Sequence, residues 1–130
     1  MIKYVFICMG GILGAILRYS LGNIRLYNYS GNIPLNTLVI NITGSFILAL
    51  ILTVAFETWK IDPDIRTGLA TGLLGAYTTF SGLCKESVNL MTGGFYYSAI
   101  SYITISTMFG LASVYLGIVL ARELIKKSVN

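Results

Sequence analysis

Histidine is absent from this chain, and only five of its residues are acidic. Those two shortages exclude most site chemistry. No cysteine or carboxylate cluster has metal-ligand spacing, and no glycine-rich phosphate loop leads into Lys-Ser/Thr, so nothing indicates an enzyme. A proton-coupled pump needs a relay of Asp, Glu or His in its spans, and Glu86 stands almost alone there. Cys8 and Cys84 both fall in apolar stretches, where they read as small packing residues and not as a disulfide framework. There is no Gly/Ser/Pro-rich linker, no low-complexity tract and no segment polar enough for an extramembrane domain.

What remains is apolar: 55% of the 130 residues are hydrophobic, 11% are charged and the mean hydropathy is +0.78. This composition describes one integral membrane domain over residues 1–130. About 20 apolar residues cross a hydrocarbon core about 30 Å thick, and four such spans can be drawn, over about 2–22, 34–56, 65–91 and 96–121. The amino-terminal run has the look of a signal peptide but continues through Arg18 without a small-residue cleavage site, so it is read as the first span. Pro34 suits the first turn of the second.

An even number of spans places both termini and the 57–64 loop on one side. Lys3, Lys60, Arg66, Arg122, Lys126 and Lys127 share that side, six of nine cations, which predicts cytoplasmic termini in the plasma membrane. The net charge of +4 is this topology signal. Nucleic-acid binding would need a soluble basic face, which the chain lacks.

The third span contains the most informative stretch, Gly75-Ala76-Tyr77-Thr78-Thr79-Phe80-Ser81. A glycine and a run of hydroxyls at membrane depth weaken a helix, and a break there survives only where protein, water or an ion satisfies the freed backbone. The predicted interruption lies around Gly75, at the centre of an ion site. Four thin helices with a broken third cover little by themselves, so oligomerisation is expected. Gly10, Gly11 and Gly14, with Ala15, form a small face that suits either a second chain or an intrachain helix contact. Arg18 either snorkels to the interface or stands as a fixed charge at a vestibule mouth. Asn41, about two turns into the second span, either bonds a neighbouring helix or offers its NH₂ to a permeating anion. Lys85 and Glu86 are adjacent and so do not face one another on a helix; Glu86 is expected to find a hydroxyl or backbone partner.

Three ordered stretches, Gly10–Tyr19, Pro34–Phe46 and Gly72–Ser81 followed by Glu86, together resemble the Fluc (CrcB) family of small fluoride channels, and the resemblance covers essentially the whole chain. It implies an all-α membrane protein of four transmembrane helices, the third broken at its centre, assembled as an antiparallel dimer with two fluoride pathways along the subunit interface. It also implies a structural, non-transported Na+ at the dimer centre, held by the backbone carbonyls of Gly75 and Thr78. On the same motif Asn41 matches a pore amide, Phe80 a pore phenylalanine, and Thr79 and Ser81 parts of a hydroxyl-lined path. Tyr102 matches a pore-side tyrosine. The positive edge of the Phe80 ring suits a small, hard anion. The implied function is passive export of cytoplasmic fluoride, without fuel or cofactor beyond the sodium. The expected partners are fluoride, lipid and a second subunit.

The chain departs from that family where Thr-Phe usually follows Phe-Ser: Gly82 and Leu83 stand there. Leucine has no positive edge. Dual-topology subunits also carry nearly balanced charge on their two sides, whereas six cations lie on one side here. Together these favour an obligate heterodimer with an oppositely oriented homologue over a dimer of identical copies. The alternative function is a non-conducting structural or regulatory subunit.

Overall fold

The computed structural model describes residues 2–24, 29–58 and 61–129 and is helical almost throughout. Arg25 and Lys60, two of the cations in the charge count, lie outside the described residues. The elements are α1 (Ile2–Gly22), α2 (Leu35–Thr58), α3 (Pro63–Thr67), a π-helical stretch (Gly68–Leu74), α4 (Gly75–Tyr77), α5 (Phe80–Thr92) and α6 (Tyr96–Val129). Three helices are long and apolar enough to cross a membrane: Ile2–Gly22, Leu35–Thr58 and Tyr96–Ser128, with mean hydropathies of 1.7, 2.3 and 1.9. Between α2 and α6 the remaining helix is assembled from short pieces, as its hydroxyls and glycines predict.

Local chemistry sets the ends. Asp62 caps α3, its carboxylate accepting from the N–H groups of Asp64 (2.8 Å) and Ile65 (3.3 Å). Pro63 opens that helix, where a missing N–H costs nothing. Gly94, at φ +81°, makes the turn from α5 into α6, and Phe95 closes it by donating to the Leu90 carbonyl at 2.8 Å. At its far end α6 reaches Val129, well beyond the apolar span that stops at residue 121. The charged residues after that point are helical too, and they bond to one another and to α2: Arg122 Nε donates to Glu57 at 2.8 Å and Lys126 to Glu123 at 3.2 Å.

The packing resolves the two readings of the α1 glycines. A side chain at Gly10 would strike the Gly68 carbonyl oxygen and the Leu73 amide, and one at Gly14 the backbone of Leu73 and Tyr77. Gly68 and Gly72 reciprocate, facing the backbones of Phe6 and Ile7. The two helices therefore touch main chain to main chain. Gly10 and Gly14 serve this intrachain seam, whereas Gly11 has nothing within 4 Å.

α1 lies along α3, the π-helical stretch and α4, whereas α2 lies along α6. Ala55, Ala121 and Gly117 let α2 and α6 approach closely; a side chain at Gly117 would come within 2.6 Å of the Phe46 carbonyl. Among the described residues α5 touches α6 and α2 but not α1, and the pieces before the break touch α1 but not α6. The third helix thus changes neighbours at its break. Two buried clusters flank that point: Ile40, Leu74 and Tyr77 before it, and Leu38, Leu90, Ala99 and Tyr102 after it.

Candidate functional site

The break falls at Thr78 and Thr79, three positions beyond the expected centre at Gly75. Gly75 itself is helical, at φ −65° and ψ −32°. Thr78 (φ −75°, ψ 157°) and Thr79 (φ −146°, ψ 110°) are extended. Preceding them, the π-helical turns loosen the register. Adjacent β-branched threonines, whose hydroxyls compete for backbone groups, complete the interruption. Both the N–H and the hydroxyl of Thr78 donate to the Leu74 carbonyl, at 3.0 and 2.9 Å.

Thr79 is held on every polar atom. Its N–H donates to Asn41 Oδ1 at 2.8 Å, and its carbonyl accepts from Asn41 Nδ2 at 3.0 Å. Its hydroxyl accepts from the Gly82 N–H at 2.9 Å, capping α5, and lies 3.2 Å from the Ser81 hydroxyl. In an unbroken helix the Thr79 N–H would serve the Gly75 carbonyl and the Gly82 N–H the Thr78 carbonyl. Both are diverted to side chains. The Gly75 and Thr78 carbonyl oxygens consequently lack those helical donors.

Two cavities meet at this residue. One, about 220 Å³, is lined by Asn41, Ser45, Thr78, Thr79, Phe80 and Leu83. The other, about 450 Å³, is lined by Arg18, Thr37, Thr79, Gly82, Lys85 and Glu86 among others. Thr79 is the residue common to both. Neither Arg18 nor Lys85 has a carboxylate within ion-pair distance among the described residues, so the larger cavity has two unpaired cations and one carboxyl, Glu86, on its wall.

The structure brings Asn41, Thr79 and Phe80 to one cavity and Arg18 to the other. Phe80 is 78% exposed on the surface of the chain. Ser81 is exposed and reaches the site only through the Thr79 hydroxyl. Tyr102 is fully buried in the cluster after the break and lines neither cavity. Its hydroxyl donates to Glu86 Oε2 at 2.6 Å, while Thr37 donates to Glu86 Oε1 at 2.7 Å. Glu86 thus finds hydroxyl partners as expected, and it joins Tyr102 to the larger cavity. Thr37 and Lys85 were not singled out as site residues from sequence. Their positions about a turn from Asn41 and next to Glu86 were the available signals. Among the described residues no three His, Cys, Asp or Glu side chains gather to bind a metal, so a cation here would depend on backbone or hydroxyl oxygens.

A family model described as "CrcB-like protein, Camphor Resistance (CrcB)" matches residues 5–118. The "Fluoride-specific ion channel FluC" of Sulfurihydrogenibium sp. is 37% identical over 122 residues, covering 94% of this chain and 98% of the relative. "Fluoride-specific ion channel FluC 1" of Moorella thermoacetica is 38% identical, covering 92% and 85%, and its namesake in Staphylococcus aureus strain RF122 is 36% identical, covering 89% and 93%. A match this extensive, reaching from α1 well into α6 and across the clamped break, makes the chain a member of the CrcB-like family.

Proposed function

We propose that this chain is a subunit of a fluoride-selective channel, not an enzyme, that passively exports cytoplasmic fluoride. The observation that supports this best is the break at Thr78–Thr79: a side-chain amide, hydroxyls and an exposed phenyl ring meet there between two cavities. The relatives' printed names supply the ion. Each group suits a weakly held anion. Arg18 and Lys85 raise the local anion concentration in the larger cavity, hydroxyls offer donors in place of water, and the edge of Phe80 is electropositive. Such partners offset part of the dehydration cost of fluoride without binding it too tightly to leave. Fluoride entering acidified cells as the neutral acid dissociates inside and leaves through the channel down the electrical gradient.

The carbonyls of Gly75 and Thr78 fit a hard cation, because they have lost their helical donors in apolar surroundings. Sodium bound there would neutralise converging carbonyl dipoles between two subunits. The subunits pair antiparallel in the plasma membrane, with the termini of this chain cytoplasmic. An oppositely oriented homologue is preferred as partner, because the six cations are one-sided and Leu83 occupies the wall beside Phe80. The number in "FluC 1" fits chains that occur in sets. Leu83 also keeps a second reading open, that of a non-conducting subunit.

The deciding experiment is fluoride efflux, with chloride as control, from liposomes holding this chain alone and then with a homologue from the same cell. Selective efflux from the chain alone establishes a homodimeric channel in which Leu83 is tolerated. Efflux only with the partner establishes the heterodimer. No efflux in either case leaves the structural subunit.

A further inference from the structure

We propose that Asn41 is a positioning residue that keeps the third helix broken, acting on the pathway through the Thr79 backbone and the Gly75 carbonyl. This rests on the channel and sodium readings above. The asparagine amide has the donor and acceptor of a peptide group, and it pairs with Thr79 through two bonds, N–H to Oδ1 at 2.8 Å and Nδ2 to C=O at 3.0 Å. The pairing imitates one rung of an antiparallel ladder, and Thr79, at φ −146° and ψ 110°, has the extended backbone such a rung requires. One Oδ1 lone pair and one Nδ2 hydrogen are therefore already committed.

The two alternatives for Thr79 are mutually exclusive. Its N–H serves Asn41, and the Gly75 carbonyl stays open; or it serves Gly75, and the helix closes. With the amide removed, the N–H returns to its helical partner, the Gly75 carbonyl, which satisfies both groups at membrane depth without calling on water from the cavities. Closure withdraws the Gly75 oxygen from any cation and turns Phe80 away from its cavity.

This account separates two substitutions that a direct anion ligand would not. Asn41→Asp retains the oxygen that receives the Thr79 N–H, so the Gly75 carbonyl stays open even though the second carboxylate oxygen now meets the Thr79 carbonyl with no hydrogen to donate, while the negative charge repels fluoride. Asn41→Leu removes both bonds at similar volume. Thermal unfolding of the purified assembly, in sodium and in N-methylglucamine buffers, is read beside fluoride efflux. The wild type unfolds at higher temperature in sodium. Asn41→Asp keeps that shift and loses efflux, whereas Asn41→Leu loses the shift and its efflux falls by roughly tenfold or more.

A full sodium shift in Asn41→Leu overturns the proposal, because an amide acting only as an anion ligand would leave the cation site intact. So does loss of the shift in an assembled Asn41→Asp. If Asn41→Leu fails to assemble, Asn41→Asp decides alone: a retained shift supports the clamp, and a lost shift refutes it. A wild type without any sodium shift overturns the cation reading and this inference together. One that shows the shift but no efflux overturns only the channel reading, and the unfolding comparison still stands.

Discussion

Gly14→Ala tests the main-chain seam between α1 and the third helix. The new Cβ would approach the Leu73 carbonyl oxygen most closely, then the Leu73 carbonyl carbon at 3.0 Å and the Tyr77 nitrogen at 3.1 Å. All three are backbone atoms, so no side chain can rotate away and α1 must shift as a body. Overpacking of this kind costs about 3 kcal/mol at the upper end of its usual range. Alanine returns about 1 kcal/mol of helix propensity, leaving a net loss of about 2 kcal/mol. At Gly11, one turn back, nothing lies within 4 Å, so Gly11→Ala has only the gain. The two variants should therefore differ by about 3 kcal/mol, roughly a hundredfold in the unfolding equilibrium. Unfolding in mixed micelles, followed by far-ultraviolet circular dichroism, measures that difference. Equal stability of the two variants, or a larger loss at Gly11, would refute the intrachain assignment of the seam.

Phe80→Ile should lower fluoride efflux at least tenfold while assembly survives, because the ring is exposed on the protomer and its loss leaves no hole in the core. Unchanged flux would point to the non-conducting subunit. Tyr102→Phe removes one of the two hydroxyls on Glu86 and should destabilise the protein by about 1–3 kcal/mol in a denaturant titration, the cost of leaving a part-buried acceptor without its donor. Arg122→Gln should cost under about 1 kcal/mol, since the Glu57 pair is more than a third exposed on both sides, and high salt should erase even that difference in melting temperature.

Sequence gave away the long-period features and concealed the short-range ones. Apolar runs located α1 and α2 to within about two residues and marked the third helix as broken, because glycine and hydroxyls at membrane depth have few uses. The run missed the end of α6, since hydropathy stops at Arg122 whereas helical hydrogen bonding does not, and Glu57 holds that arginine from 65 residues away. It placed the interruption around Gly75, at the head of the Gly75–Ser81 stretch; within that stretch Gly75 stays helical and the break belongs to the threonines, one of which is captured by Asn41 from 38 residues earlier. The same limit hid Thr37, whose partner Glu86 lies 49 residues on. Gly11 and Gly14 look alike on paper. Only the azimuth of α1 shows that one faces a neighbouring backbone and the other open space.

The change of neighbours at Thr78–Thr79 also orders events during synthesis. The segment Pro63–Tyr77 meets α1, which has already left the ribosome, whereas α5 leans on α6, the last helix made. The second half of the third helix can therefore gain its α6 contacts only once the carboxy-terminal helix has been made. Until then Glu86 lacks its Tyr102 partner, and α5 has only its contacts with α2, the Thr37–Glu86 bond among them.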